Sequence, residues 1–278
     1  KPKQFRRNKK EYGRISEHIG LLPVVMISPA DSSLIIEGSD ERRKFMNAVI
    51  SQFDNEYLES LMRYNRALGQ RNVLLKDFQR SGRFQPELLE VWNEQLTGNG
   101  RYIHEKRLDF VRELVPIFQD YYNEVSEGRE EIGLDYYSQL NEKDPGTLLR
   151  ESERKDRVLQ YTTTGVHKDD LLMSLSGHPI KRIGSQGQQK TFLVALKLAK
   201  FDFIKKVNGF QPILLLDDVF DKFDARRVRQ IIRLVAEHEF GQIFVTDTNR
   251  ERIKNVLSDL SIDYKLFQVE PEGVNEQE

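Results

Sequence analysis

Apolar residues recur along the first half of this chain at helical spacing. From about Asp40 onward, Phe45, Val49, Phe53, Tyr57, Leu61, Tyr64, Leu68, Leu75 and Phe78 fall three, four or seven residues apart, the period of one helix face. Ser81-Gly82 ends that run, and Pro86 stands where a first helical residue tolerates proline. A second stripe follows in Trp92, Leu96, Ile103, Phe110, Leu114, Ile117 and Tyr121. Gly98 and Gly100 weaken it, each costing about 1 kcal/mol against alanine. Two long amphipathic runs joined by a short turn predict an antiparallel helical hairpin. Two readings of that hairpin stand: ordinary core packing, or an arm that projects to meet a partner.

The pattern differs on either side. Residues 1–38 read as strands and turns, with Leu21–Ile27 a buried strand that carries Pro23 near its start, where the missing N–H is tolerated. Leu134–Tyr137 and Leu171–Leu175 read as strands, and Gly177-His178-Pro179 as the turn after the second. Leu148 to Leu159, rich in Glu, Arg and Lys, reads as a solvent-facing helix. From Ser185 the order is loop, helix (about 188–207), Gly209 as a cap, strand (213–217), helix (about 225–238), Gly241, strand (243–246), helix (about 249–258) and a last strand, Tyr264–Val269. This alternation predicts an α/β fold with a largely parallel sheet and helices on its faces. Residues 1–38 and 161–270 are expected to share that sheet lobe, and 39–160 to form a helical lobe. Residues 271–278 read as an acidic tail that frays.

Composition adds mostly exclusions. The 278 residues suit one large or two ordinary domains. With 43 basic and 44 acidic residues the net charge is −1, so any nucleic-acid surface has to be a local patch. The chain has no cysteine, which rules out disulfides and thiolate metal sites and fits a reducing cytoplasm. No apolar run approaches the length of a membrane span, and no signal peptide is visible. The chain starts at Lys1 in a basic stretch without Met, which reads as the middle of a longer protein.

Two polar segments carry candidate chemistry. Ile183 to Thr191 opens a helical pattern and contains Lys190-Thr191, but Gln189 stands where a phosphate loop needs the glycine before its lysine, and no strand leads in. What survives is an anion site of another kind. Ser185 offers a hydroxyl, Gly187 close backbone approach, and the helix start partial positive charge; the alternative is a plain serine N-cap. In the second segment, the apolar Ile213–Leu216 precede Asp217-Asp218. This puts two carboxylates at the C-terminal edge of a strand, where ligands bind in open α/β sheets. One can support Mg²⁺ and the other orient water; the alternative is a capping turn. Thr246-Asp247-Thr248 ends the next strand at the same edge. His167-Lys168-Asp169-Asp170 lacks a second histidine at ligand spacing and reads as a turn before a strand.

Taken together, these segments resemble the ABC-type ATPase heads of the SMC and Rad50 kind, and most closely the RecF family of bacterial recombination mediators. Gly184 to Thr191 is similar to that family's signature loop, Ile213 to Asp218 to its Walker B strand, and Asp221-Lys222-Phe223-Asp224 stands at the D-loop, where only Asp224 matches cleanly. Thr164 to Asp170, Ser28-Pro29-Ala30-Asp31 with Gly38-Ser39 and Glu41-Arg42-Arg43, and Tyr64 to Leu68 with Gln70-Arg71-Asn72 extend the likeness over about residues 20–270. No G-x-x-x-x-G-K-[ST] occurs in the chain; the resemblance implies that the family's phosphate loop belongs to a preceding segment and that this stretch alone is inactive.

For the intact protein the resemblance implies a weak, DNA-dependent, bacterial, cytoplasmic and nucleoid-associated ATPase. It would use ATP and Mg²⁺, dimerise on ATP, bind duplex DNA or single-/double-strand junctions, and assist RecA loading at gaps with RecO and RecR. It assigns Ser185, Gln186, Gly187 and Gln188 to the partner copy's nucleotide, Asp217 to Mg²⁺, Asp218 to the attacking water and Asp224 to coupling of the two sites. Thr246 would fill the switch position and Asp31 the Q-loop position. A competing reading is a non-catalytic DNA- or protein-binding module of an SMC-like protein, with Arg42, Arg43, Arg63, Arg66, Arg71, Lys76 and Arg80 as a basic face. The absent phosphate loop argues against a stand-alone nucleotide kinase or GTPase.

Overall fold

A computed structural model describes residues 6–13, 18–128, 130–219, 225–237, 240–248, 263–271 and 273–277. It opens on short antiparallel strands β1 (Arg6–Arg7) and β2 (Lys10–Glu11), then β3 (Val24–Ile27) directly after Pro23. A 3-10 turn, Pro29–Ser32, and a short helix α1 (Ser33–Ile36) follow where the sequence predicts turns alone. The run predicted from Asp40 splits into α2 (Ser39–Ile50) and α3 (Asn55–Ser81). The break has a local cause: Asp54 is extended, and its carboxylate accepts the Tyr57 N–H at 2.8 Å as an N-cap.

α4 (Pro86–Ser126) runs 41 residues and pairs with α3 in the predicted hairpin. Gly98 and Gly100 do not interrupt it. At Gly100 an added Cβ would lie 3.3 Å from the Tyr64 ring, so the missing side chain is what lets α3 and α4 approach. Beyond α4 come β4 (Ile132–Tyr137), α5 (Pro145–Leu159), β5 (Asp170–Leu175), β6 (His178–Pro179) and α6 (Ile180–Ile183). α5 is not solvent-facing all round: Leu148, Leu149, Ser152 and Asp156 are buried, and Asp156 binds Arg71 of α3 at 2.7 Å. Next are α7 (Gln186–Asn208), β7 (Ile213–Asp217), α8 (Ala225–Glu237), β8 (Ile243–Thr246), β9 (Leu266–Glu270) and β10 (Gly273–Gln277).

β3, β7 and β8 form a parallel sheet in that order, with Val24 opposite Ile213 and Asp217 opposite Thr246. β4, β5 and β6 make an antiparallel sheet. The last strand does not extend the parallel sheet. β9 pairs with β10, Val269 opposite Val274, so the expected frayed tail is a hairpin instead. α7 is buried almost all round from Thr191 to Ala199, packed between α4 and the parallel sheet. The helix expected at about 249–258 lies outside the described residues. The described residues form an α/β fold with a parallel sheet and a mainly helical lobe built on the α3–α4 hairpin.

Candidate functional site

β7 alternates half-buried and buried residues and ends at Asp217. Its register sets Thr246 of β8 beside Asp217. The Thr246 hydroxyl donates to Asp217 Oδ1 at 2.6 Å, and the Asp218 N–H donates to the Thr246 carbonyl at 3.1 Å and to its hydroxyl oxygen at 3.3 Å. Asp218 sits in the left-handed region at φ 49, a conformation that aspartate tolerates better than most side chains. These contacts turn the chain at the strand end and leave both carboxylates half-exposed. No basic side chain among the described residues binds either of them.

That arrangement suits a hard cation held jointly with a ligand. One Asp217 oxygen is fixed by Thr246, and the other is left as a donor. The described residues contain no group of three or more His, Asp or Glu that could hold a metal by themselves. Mg²⁺ is commonly bound through one or two carboxylates plus phosphate oxygens and water, and the Asp217 turn matches that donor set.

The second polar turn begins α7. Ser185 is its N-cap: the Gln188 N–H donates to Ser185 Oγ at 3.2 Å, and the Ser185 N–H donates to Gln188 Oε1 at 2.8 Å, a reciprocal capping box. Both the anion-site and the N-cap readings of the sequence therefore describe the same group. Ser185 and Gln186 are exposed, Gly187 and Gln188 half-buried. Because Ser185 Oγ accepts inside the cap, its proton is free to point at a ligand. Thr191 donates to the Gly187 carbonyl at 2.9 Å, and Gln189 to the Gly184 carbonyl at 3.0 Å.

The two turns lie towards the same side of the fold. α7 ends shortly before β7 begins and so runs back against the strand direction. Its Lys197 reaches the Met26 carbonyl near the C-terminal end of β3, at 3.1 Å. Ser185 lies twelve residues before Lys197, about 18 Å further along the helix axis. The serine turn therefore stands well out beyond the sheet edge that carries Asp217. Arg227 of α8 lies so close to Gly187 that an added Cβ there would sit 2.5 Å from its Nη1.

Other predicted residues are placed differently. The Asp31 carboxylate is already engaged, accepting from Lys197 Nζ at 2.6 Å and from the Ser28 N–H at 2.8 Å. Asp224 lies outside the described residues. The expected seven-residue basic face is divided: Arg63, Arg66, Lys76 and Arg80 are exposed, while Arg42, Arg43 and Arg71 are engaged within the fold. Arg71 is fully buried and bonded to Asp156, Thr162 and Asn93, so it cannot reach a DNA phosphate. Arg42 grips Asp170 at 2.6 and 2.9 Å, and Arg43 donates to the Asp169 carbonyl at 2.6 Å. Sequence reasoning missed Lys197, Arg227 and Glu130, which meet Asp31, Gly187 and Gln188 from other elements; an isolated charge in a sequence carries no sign of such pairing.

Comparisons with known proteins place the chain in a family. No protein-family model matches the chain. It is 53% identical over 276 residues to the DNA replication and repair protein RecF of Bacteroides fragilis, covering 99% of this chain and 74% of that protein. It is 49% identical over 265 residues to the protein of the same name from Flavobacterium johnsoniae, covering 95% and 74%. The structure of the recombination mediator protein RecF-ATPrS in the RecFOR pathway superposes with a TM-score of 0.81 at 27% identity, over 97% of this chain and 71% of that one. The corresponding RecF-ATP structure gives a TM-score of 0.81 at 25% identity, over 99% and 73%. No helix among the described residues is long and apolar enough to cross a membrane. On sequence identity and coverage, this chain belongs to the RecF family of DNA replication and repair proteins.

Proposed function

We propose that this chain forms the signature-turn and acidic-strand part of a DNA-binding ATPase of recombinational repair, which dimerises on ATP and assists RecA loading at gapped DNA with RecO and RecR. One observation carries the reading: Asp217 and Asp218 stand at the C-terminal edge of a parallel sheet with no basic partner among the described residues, while a serine-capped helix start faces solvent on the same side. The RecF-ATP and RecF-ATPrS relatives support ATP as the ligand.

Each residue then has a role. In a sandwich of two copies, Ser185 donates its hydroxyl proton to the terminal phosphate on the partner copy. Gln186 and Gly187 offer the unpaired N–H groups of a helix start, and Gln188 holds Ser185 in place. Mg²⁺, when bound, neutralises phosphate charge; Asp217 would hold it through the oxygen that Thr246 leaves open. Asp218 orients the attacking water. Thr246, at the switch position, keeps Asp217 in register with β8. Asp31 acts at the Q-loop position only by exchanging its Lys197 partner. Asp224 is assigned to coupling between the two sites, and Arg66 to DNA.

Two measurements test this. In the full-length protein, Ser185→Arg is expected to block ATP-driven dimerisation in light scattering while sparing ATP binding by single copies; normal dimerisation would refute the role of the turn. The 278-residue chain contains no phosphate loop, so calorimetric titration with ATP and Mg²⁺ is expected to show no micromolar binding. A micromolar Kd would overturn that expectation.

A further inference from the structure

Glu130 lies in the short connection between α4 and β4, with a side chain only 18% exposed. Three elements converge on its carboxylate. Gln188 of α7 donates its Nε2 to Oε1 at 3.0 Å. Arg227 of α8 places Nη2 at 3.8 Å from the same oxygen. Tyr122 of α4 donates its hydroxyl to Oε2; burial first, and this carboxylate second, push the Tyr122 hydroxyl up and keep it a donor.

The consequence for the serine turn follows from amide chemistry. A glutamine side chain has one accepting end and one donating end. A carboxylate facing Gln188 can only accept, so it holds the NH₂ end towards itself. That leaves Oε1 turned to the Ser185 N–H, at 2.8 Å. With the opposite amide orientation, two donors would face each other at Ser185 and the capping box would open. The same carboxylate steadies Arg227 against Gly187, tying the start of α8 to the start of α7.

We infer that Glu130 is the positioning residue of the serine turn: it sets the amide orientation of Gln188 and through it keeps the Ser185 N–H bonded and the capping box closed. This rests on the proposed role of Ser185 in contacting phosphate, and the test separates the two. The first measurement needs no activity. In the 278-residue chain, Glu130→Ala is expected to raise amide hydrogen exchange over residues 183–189 by about tenfold, the scale of one lost charge-assisted hydrogen bond, and to leave β7 unchanged. Glu130→Gln, whose carbonyl still accepts from Gln188, is expected to stay near wild type. Unchanged exchange in Glu130→Ala, or an equal rise throughout the chain, overturns the inference.

The second measurement uses the full-length protein. Glu130→Ala is expected to lower ATP-driven dimerisation and kcat by about tenfold with little change in KM for ATP, and Glu130→Gln to restore most of both. If Ser185→Arg abolishes dimerisation and Glu130→Ala does not affect it, the positioning role falls and the reading of the turn survives. If exchange responds as expected while Ser185→Arg leaves dimerisation normal, the reading of the turn falls and the positioning geometry survives.

Discussion

The chain contains two Asp-Asp pairs, and their surroundings are opposites. Asp169-Asp170 is neutralised from within. Arg107 binds Asp169 at 2.7 Å, and the Tyr136 hydroxyl donates to the same oxygen at 2.5 Å. Arg107 also reaches the Val166 carbonyl at 2.7 Å, Asn47 at 2.9 Å and the Tyr57 hydroxyl at 3.1 Å, while Arg42 takes both oxygens of Asp170. Asp217-Asp218 has a threonine and, among the described residues, no guanidinium. A carboxylate paired with protein cations holds elements together; one left half-exposed at a sheet edge is available to a cation from outside. The dipeptide alone does not distinguish these two uses, but its partners do.

Removing one member of a buried pair strands the other charge, at a cost of about 3–5 kcal/mol. Arg107→Met is therefore expected to lower the stability of the 278-residue chain by about that amount in urea unfolding, and a loss under about 1 kcal/mol would dissolve the contrast. For the exposed pair the effect moves from stability to turnover. In the full-length protein, Asp218→Asn is expected to cut ATP hydrolysis by about 100-fold, the lower range for a lost general base, with an unchanged urea midpoint. A midpoint shift like that of Arg107→Met would move this pair into the structural class.

A smaller effect sharpens the buried side alone. His167 donates Nε2–H to the Thr162 carbonyl at 3.0 Å, so Nδ1 accepts from the Tyr64 hydroxyl at 2.8 Å. Burial lowers its pKa from 6.5 to about 4. The unfolded chain thus takes up the proton first as pH falls. The contribution of this group is fully present above pH 6.5 and is lost on acidification towards pH 4. His167→Gln is expected to flatten the stability profile in that window, as read by urea midpoints at successive pH values; an unaltered slope would show that the ring is not held neutral.

Much of the architecture was legible because it repeats. The apolar stripe of α4 survives two glycines since helix propagation and packing outweigh local propensity, and Ile213–Leu216 followed by two aspartates identified the strand and its rim together. The break between α2 and α3 was hidden because the apolar period continues across it, although Asp54 was visible as a cap. The terminal hairpin was missed because acidic residues masked the Val269–Val274 pair. Least legible were the buried ion pairs. Arg107 meets Asp169 across 62 positions and Arg71 meets Asp156 across 85, and on paper each arginine looks like one more solvated charge on a helix face.

α4 spans 41 residues, about 60 Å, and carries Pro116 in its interior. Proline has no N–H to offer the carbonyl of Arg112, so the rod is easiest to bend there. A swing of about five degrees at that point moves Pro86, thirty positions away, by about 4 Å. Any bend at Pro116 would therefore be magnified towards Pro86 and remain small at the other end, a few residues from Glu130.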